Sequence, residues 1–390
     1  MTGVLLGLGL AVGVGLYAYA GYPLLLVVLG ATRKRPAVIE PKEWPAISVT
    51  VPAYNEEGAI GATLDAILAC DYPADRLQIL VVSDASTDRT DEIVRSYQGR
   101  GVELLRQPER GGKTAAENAA RDLLRGEIII NTDASVRLAK NCLKPLVAHF
   151  SDPTVGVASG RDVSVARAED TANVGESGYV GYEMWVRDRE TLLAGIVGAS
   201  GCFYGIRAQL HMSLVPAALS RDFASALIAR EAGYRAVSVN EAVCFVPRTS
   251  RLRAEYRRKV RTMARGMETL FFKRHLLNPF EYPLFAWMLF SHKVCRWAAP
   301  WAFTIGVLLA LVLGWQYPLV KLAALGVALA GVLALVGWNW PEERPLPRLI
   351  AIPTFAITGN IAALHAGIKA MRGERNPIWE PTRRRSVPGA

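Results

Sequence analysis

The sequence predicts an α/β domain with a mostly parallel sheet and helices on both faces, flanked at each end by membrane-spanning helices. Two observations carry this prediction: charge-free blocks near both ends of the chain, and an alternation of strands and helices in the charged centre. The chain has 390 residues, of which 51% are hydrophobic, and a formal net charge of +10. This composition excludes a disordered chain, and the arrangement of the apolar blocks excludes an ordinary soluble enzyme.

Four segments lack Asp, Glu, Lys and Arg, and each is long enough, at about 20 residues, to cross a bilayer. They are residues 1–32, 298–320, 322–341 and 349–368. We therefore expect an N-terminal transmembrane helix over 1–32, a soluble domain over 33–250, basic and aromatic interfacial helices over 251–297, transmembrane helices over 298–370 and a basic tail over 371–390.

The first apolar block is interpreted as an uncleaved anchor. A secretory signal is the alternative, but such signals begin with basic residues, whereas Arg33, Lys34 and Arg35 follow this block. Basic residues favour the cytoplasmic side, which predicts an inner-membrane protein with a cytoplasmic domain.

The five cysteines are scattered and odd in number, which supports neither disulfides nor a zinc site. If the N-terminus lies outside, four full crossings place the C-terminus outside as well, whereas the basic residues of the tail favour the cytoplasmic side. We therefore expect one apolar segment, 282–297 or 349–368, to be re-entrant or interfacial.

The charged centre predicts the sheet. Strands are expected over residues 47–51, 78–82, 102–105 and 127–131, with helices between them. Open parallel sheets bind ligands at the carboxyl ends of their strands. Three such ends carry polar sequences, P-A-Y-N-E at 52–56, S-D-A-S at 83–86 and T-D-A-S at 132–135. A polar turn would explain any one of them alone, but the three together predict a site.

The residues at these strand ends suit a nucleoside diphosphate and a hard metal ion. Gly111 and Gly112 open a helix whose free N–H groups, with Lys113, favour a phosphate. Asp84 can accept hydrogen bonds from a base or a ribose. Asp133 is a candidate oxygen ligand for Mg²⁺ or Mn²⁺ bridging the diphosphate.

Four motifs carry a resemblance to a known family: V-P-A-Y-N-E-E at 51–57, S-D-A-S-T-D at 83–88, G-G-K-T-A-A-E-N at 111–118 and T-D-A-S at 132–135. They resemble family 2 glycosyltransferases, in particular the membrane-bound branch similar to cellulose, chitin and hyaluronan synthases. The resemblance implies a GT-A fold and inverting hexosyl or N-acetylhexosaminyl transfer from a nucleotide sugar, with UDP favoured over GDP. It also implies a Mg²⁺ or Mn²⁺ cofactor.

The same resemblance implies roles for the residues at the donor site. Asp84 would hold the base or ribose, and Lys113 would lie near the diphosphate. Asp133 corresponds to the first aspartate of the metal-binding D-x-D motif, in which Ser135 replaces the second. The remaining donor-binding residues would be Pro52, Ala53, Tyr54 and Glu56.

Asp222 corresponds to the general base of the family, although Arg221 replaces the acidic residue that normally precedes it. The alternative is an ordinary aspartate at a helix N-terminus. Gly201 and Cys202 lie in a stretch similar to the acceptor-facing segment, although its glycines would equally suit a tight turn.

A basic stretch precedes the aromatic residues of 270–290. It comprises Arg251, Arg253, Arg257, Arg258, Lys259, Arg261 and Arg265. It predicts either a helix on anionic lipid or a phosphate clamp, and we assign Arg258, Arg261 and Arg265 to the diphosphate or the interface. Nucleic acid is not an expected partner. Arg261 matches the arginine of the Q-x-x-R-W motif of processive enzymes, whereas the glutamine and tryptophan of that motif are missing.

The leading hypothesis is an inverting glycosyltransferase that acts at the membrane on a lipid-linked or glycan acceptor. A processive exopolysaccharide synthase is the alternative among enzymes. A non-catalytic membrane scaffold or translocation subunit that retains a nucleotide-binding fold is the alternative from another class. His292 is interpreted as an interfacial side chain rather than a ligand.

Overall fold

The structure is a computed structural model that describes residues 2–165, 174–247, 252–313, 316–341, 344 and 346–374. Arg251 and the basic tail beyond residue 374 lie outside the described residues. The described residues form a sheet-containing domain and a set of long apolar helices.

The sheet has eight strands in the order β3-β2-β1-β4-β7-β6-β8-β5. The strands are β1 Ile47–Ala53, β2 Leu77–Ser83, β3 Val102–Arg106, β4 Ile128–Thr132, β5 Arg137–Leu138, β6 Val155–Val165, β7 Phe203–Arg207 and β8 Arg235–Pro247. β1 to β4 pair in parallel, as predicted. Beyond β4 the sheet is mixed, since β7 runs antiparallel to both β4 and β6, while β6 and β8 are parallel.

Helices cover both faces of the sheet. Alternate residues of a strand point to opposite faces, so a strand with apolar residues at successive positions packs against helices on both sides. In β2, Ile79 and Val81 belong to the core that contains the α3 residue Leu64. The intervening Leu80 and Val82 pack with Ala116 and Ala120 of α5. The helices of the domain are α3 Ile60–Leu68, α4 Thr90–Ser96, α5 Lys113–Ala120, α6 Leu143–Ala148, α7 Val174–Thr191, α8 Ala208–His211 and α9 Arg221–Glu231.

Four helical segments are long and apolar enough to cross a membrane, namely Leu6–Gly30, Pro283–Leu313, Pro318–Trp338 and Arg348–Met371. Their number and order agree with the four charge-free blocks of the sequence. They are built from α1 Thr2–Leu16, α2 Tyr22–Gly30, α11 Pro283–Leu289, α12 Arg296–Leu313, α13 Pro318–Trp338 and α14 Arg348–Met371. Between the domain and these helices runs α10, Leu252–Phe272.

Both candidates for a re-entrant or interfacial segment, 282–297 and 349–368, are largely helical. A π-helical turn, Phe290–Cys295, joins α11 to α12, so the predicted boundary between residues 297 and 298 falls inside one long helix. The other candidate segment, 349–368, lies within α14, which continues through Pro353. Charged residues interrupt the apolar pattern near residue 292 without ending the helix, because they pack against acidic residues of α7.

These charged residues form a buried group that we call the junction cluster: Tyr22, Glu183, Glu190, His292 and Arg296. The Tyr22 hydroxyl donates to Glu190 Oε1 over 2.5 Å, and His292 Nδ1 lies 2.5 Å from the same oxygen. His292 Nε2 lies 3.0 Å from Glu183 Oε1, and Arg296 donates to Glu183 Oε2 over 2.6 Å. His292 is therefore buried between two carboxylates, and the interpretation of it as an interfacial side chain is wrong.

Candidate active site

The carboxyl ends of β1 and β2 carry two loops that hold each other in place. The Thr87 amide donates to Asn55 Oδ1 over 2.8 Å, and the Glu56 amide donates to Thr90 Oγ1 over 2.8 Å. Asn55 and Ala85 have φ values of 51° and 57°, in the left-handed region that residues other than glycine rarely adopt. Such backbone conformations persist only where the surroundings enforce them, and they cluster at functional sites.

Asp84 fixes the turn that precedes α5. It is 2% exposed, and its carboxylate accepts hydrogen bonds from the amides of Gly111 at 2.7 Å and Gly112 at 2.8 Å. Gly112 has a φ of 89°, which suits glycine at this position. The role predicted for Asp84 at a base or ribose stays a prediction, and the bonds observed in the protein go to this turn.

The other predicted donor-binding residues follow β1. Pro52 and Ala53 are buried at its end. The ring of Tyr54 lies under the guanidinium of Arg110, with 3.7 Å from the guanidinium carbon to the ring centroid. Arg110 lies directly before the Gly111-Gly112 turn and was not among the residues predicted from the sequence.

A polar cavity of about 420 Å³ lies between the sheet, α5, α7, α9 and α10. Its lining includes most of the predicted site residues: Lys113, Asp133, Gly201, Cys202, Asp222, Arg258, Arg261 and Arg265. Pro52, Ala53, Tyr54, Glu56 and Asp84 are not among its lining residues. The structure thus places the predicted residues in two regions, the loops after β1 and β2 and the polar cavity.

Lys113 links three of the residues in the cavity. Its ammonium donates to Asp133 Oδ1 over 2.6 Å and to the Gly201 carbonyl over 2.8 Å. Burial of the ammonium opposes its charge, but Asp133, Glu117 and Asp222 together raise the pKa of Lys113 above its ordinary value. The lysine therefore supplies a fixed positive charge to the cavity.

Asp222 lies in the first turn of α9, and Ser220 precedes the helix. The Ser220 hydroxyl donates to Asp222 Oδ1 over 2.6 Å. Oδ2 lies over Gly201, so close that a Cβ at this glycine would be 2.8 Å from it. One oxygen is thus oriented by a hydroxyl, and the other lies beside the segment that Lys113 binds.

Glu117 is a residue of the cavity that sequence analysis missed. Its side chain is fully buried, and within the described part of the chain both carboxyl oxygens lack a hydrogen-bond partner. Burial raises the pKa of Glu117, and the charges of Lys113 and Arg221 only partly oppose this effect. A signal was present in the sequence, because residues four apart on a helix, such as Lys113 and Glu117, share a face.

The three arginines assigned to the diphosphate or the interface all line the cavity from α10. Arg258 donates to the Glu255 carboxylate over 2.8 and 2.6 Å. Arg265 donates to the carbonyls of Ala217, Ala218 and Leu219 and to the Thr114 hydroxyl. Burial lowers the pKa of Arg265. This arginine therefore fastens the segment 217–219 against α5.

Asp133 is the candidate ligand for a divalent cation. The described residues contain no group of three or more His, Cys, Asp or Glu side chains that could hold a metal ion. Mg²⁺ commonly binds one or two protein carboxylates together with substrate phosphates and water. Asp133 as one carboxylate ligand, in a cavity with several cationic side chains that favour a diphosphate, fits such a site, in which the bound diphosphate would supply the other ligands.

Comparison with known proteins agrees with this geometry. Residues 48–211, from β1 through α8, match the family described as "Glycosyl transferase family 2". The matched region includes Asp84, Lys113, Asp133, Gly201 and Cys202, whereas Asp222 lies beyond it.

Two curated relatives illustrate the similarity. The chain is 28% identical over 157 residues to a beta-monoglucosyldiacylglycerol synthase of Synechocystis sp., which covers 39% of this chain and 33% of that protein. It is 26% identical over 239 residues to an N-acetylglucosaminyltransferase of a Rhizobium species, covering 56% of this chain and 52% of that protein. The matched regions thus span about a third to a half of these relatives.

A solved structure extends the similarity of fold to nearly the whole chain. It is a mannosyltransferase from Pyrobaculum calidifontis in complex with GDP-Man and Mn²⁺. The TM-score is 0.70 at 23% sequence identity, and the match covers 95% of this chain and 100% of the other. The prediction of a GT-A fold is therefore confirmed, and the similarity to glycosyltransferase family 2 covers residues 48–211.

Proposed function

We propose that the protein transfers a sugar, with inversion, from a nucleotide-sugar donor to an acceptor hydroxyl at the cytoplasmic face of the inner membrane. One observation carries this proposal. Asp133, Lys113, Gly201 and Asp222 come from four separate segments and converge on one cavity beside the helices that are apolar enough to span a membrane. The acceptor is lipid-linked or a glycan.

Asp222 serves as the general base in this proposal. Its carboxylate takes the proton of the acceptor hydroxyl while that oxygen attacks the anomeric carbon from the side opposite the diphosphate. The bond between the anomeric carbon and the diphosphate oxygen breaks, and the nucleoside diphosphate departs with the bonding electrons. A single displacement inverts the anomeric configuration without a covalent enzyme intermediate.

The donor diphosphate would lie near Lys113 and Asp133. The Lys113 ammonium offsets the negative charge that develops on the leaving group. When a divalent cation is bound, Asp133 would hold it, and the cation would further stabilise that charge. Tyr54, Glu56, Asp84 and neighbouring backbone would receive the nucleoside.

The identity of the nucleotide belongs to the proposal as well. We favour a UDP-sugar, although the mannosyltransferase of similar fold is described with GDP-Man. Thermal stabilisation of the purified protein by uridine and guanosine sugar nucleotides distinguishes the two. Stabilisation by the guanosine compounds alone would reverse the preference.

The central test is Asp222→Asn. Removing a general base typically lowers turnover by about 10²- to 10⁴-fold, whereas donor binding should be retained. Asp71→Asn, at an exposed residue that is paired with Lys144 and does not line the cavity, is the matched control. Turnover of Asp222→Asn at the unmodified rate would show that the base assignment is wrong.

Product analysis distinguishes the remaining alternatives. Single transfer to a supplied acceptor is expected, whereas polymer from donor alone would support the processive synthase and its branch of the family. If the unmodified protein neither hydrolyses nor transfers sugar from any nucleotide sugar, the scaffold hypothesis takes its place.

Asp133→Ala tests the metal and diphosphate site. We expect weaker donor binding and loss of the increase in affinity that added Mn²⁺ produces, because the carboxylate ligand is gone. Calorimetric titration of donor with and without Mn²⁺ measures both effects. Equal affinities for the variant and the unmodified protein at every Mn²⁺ concentration would exclude Asp133 from the site.

A further inference from the structure

A second cavity lies beside the polar cavity and differs from it in chemistry. It has a volume of about 1190 Å³ and lies between the segment 216–219, the end of α10, the start of α12 and the end of α14. We call it the apolar groove, and its main walls are Phe271, Phe272, Trp297, Trp301, Ala370 and Met371.

We infer that the apolar groove binds the hydrocarbon chain of a lipid acceptor, whose head group thereby reaches Asp222. This inference rests on the proposed function and specifies its acceptor as a chain-bearing lipid rather than a free glycan. Three features of the structure support it: a wall shared with the polar cavity, walls that include residues of the candidate membrane helices, and the shortage of polar groups in these walls.

The groove and the polar cavity are neighbours, because Trp297 lines both. Phe223, the residue after Asp222, packs edge-on against Trp297 with 6.4 Å between ring centroids. Leu219 lines the groove, and the next residue, Ser220, donates the hydrogen bond to Asp222. The wall of the groove at Leu219 is therefore three residues before the proposed base along the chain.

The groove opens where the candidate membrane helices meet the domain. Trp301 belongs to the segment Pro283–Leu313 and Ala370 to the segment Arg348–Met371. Phe271 and Met371 are 69% and 74% exposed, so they present apolar surface at this level. Exposed apolar surface of this kind marks membrane or ligand contact. A lipid can thus enter the groove without leaving the bilayer.

The groove is shaped for an apolar occupant. Gly367 leaves room for the Trp301 indole, because a Cβ at this position would lie 3.2 Å from the ring. Among the lining residues, charge is confined to Glu268, Arg274 and His275. Recognition of a glycan needs many polar partners, whereas a hydrocarbon chain needs none, and apolar walls exclude water around it.

The test fills the groove from two walls. Ala370→Phe and Ala298→Phe place a ring in the groove, and Ala356→Phe places the same ring on the exposed surface of α14 as the matched control. The proteins are reconstituted in nanodiscs with a diacylglycerol or a polyprenyl phosphate, each carrying a diazirine in its chain. Cross-linked residues are then mapped by mass spectrometry without donor present.

We expect labelling at the end of α10 and the start of α12 in the unmodified protein and in Ala356→Phe. The two filled variants should lose about tenfold or more of this labelling, because small changes in a hydrophobic pocket commonly alter affinity by that factor. The lipid that labels reveals the head group, and either one supports the inference. Equal labelling in all four proteins would overturn it.

Turnover separates this inference from the proposed function. The filled variants should keep donor hydrolysis, which shows that the site is folded, and lose transfer to the long-chain acceptor by about tenfold. Transfer to the same head group without its chain should be unchanged. If donor turnover is present but filling the groove has no effect on long-chain transfer, the groove does not bind the acceptor chain, while the proposed function stands. If no donor turnover exists in any protein and labelling is unaffected, both fail.

Discussion

The polar cavity and the junction cluster both bury charged side chains, yet they leave those groups in different states. In the junction cluster, Tyr22, His292 and Arg296 each contact a carboxylate of Glu183 or Glu190. In the polar cavity, Lys113 and Asp133 are paired, but the fully buried Glu117 has no hydrogen-bond partner among the described residues.

This difference indicates different roles. Buried polar groups are normally hydrogen-bonded, so an unpartnered carboxyl is a group whose environment a ligand can complete. In contrast, both carboxylates of the junction cluster, Glu183 and Glu190, have hydrogen-bond partners among its other members. The cluster joins α2, α7 and the π-helical turn before α12. Burial opposes the charge of Glu183, but the charges of His292 and Arg296 hold its pKa well below the usual range. We therefore expect the junction cluster to stabilise the structure and the polar cavity to serve the reaction.

The largest effect on stability is expected from Glu190→Ala, which leaves the Tyr22 hydroxyl and His292 Nδ1 without their shared acceptor. Breaking a buried charged pair by removing one partner typically costs about 3–5 kcal/mol of unfolding free energy. Thermal unfolding in detergent measures the loss. Turnover per folded molecule should stay close to that of the unmodified protein.

The control for this variant is Asp65→Ala, which removes an exposed pair in which Arg100 lies 2.7 Å from Asp65. Exposed pairs contribute about 0–1 kcal/mol, so this variant should be nearly as stable as the unmodified protein. If Glu190→Ala is as mild as this control, the junction cluster does not hold the helices to the domain.

The two regions also differ in how far the sequence predicts them. The strand ends after β1, β2 and β4 were predictable because apolar runs mark buried strands and parallel strands end at a common edge. The mixed half of the sheet was not, since the antiparallel pairing of β4 with β7 joins Ile128 to Arg207 and depends on tertiary contacts. Local patterns carry no signal for a partner so distant along the chain.

The junction cluster illustrates the same limit at the level of side chains. His292 lies 102 residues after Glu190 in the sequence, so its neutralising partners are visible only in the folded protein. For Asp84, the limit of prediction from the sequence is less severe. The sequence places this carboxylate at the correct edge, but only the structure shows its bonds to the amides of Gly111 and Gly112. Motifs therefore locate the polar cavity, and packing determines what each group contacts.

Within the polar cavity, Gly201→Ala tests whether the position of Asp222 matters. The new Cβ would lie 2.8 Å from Asp222 Oδ2 and 3.4 Å from its Cγ, so the carboxylate must move. A misplacement of about 1 Å can cost roughly a hundredfold in rate, and we expect a loss of turnover of that order with donor affinity retained. Gly99→Ala, where a Cβ meets nothing within 4 Å, is the control. Equal turnover in both variants would show that transfer does not depend on this arrangement.

The smallest effect concerns Glu117, whose unpartnered carboxyl distinguishes the polar cavity from the junction cluster, in which both carboxylates have partners. Burial raises the pKa of Glu117 in the folded protein, so between the unfolded and the folded pKa the native state binds more protons than the unfolded state. Its contribution to stability is complete below the unfolded pKa and is lost as the pH rises toward the folded pKa.

The side chain of Glu117→Gln cannot titrate, so the stability of this variant relative to the unmodified protein should increase with pH. Melting temperatures measured at several values between about pH 5 and pH 8 test this, with the same substitution at the exposed Glu92 as the matched control. A difference for Glu117→Gln that stays constant with pH would mean that the carboxyl is paired in solution, and the contrast between the two regions would then disappear.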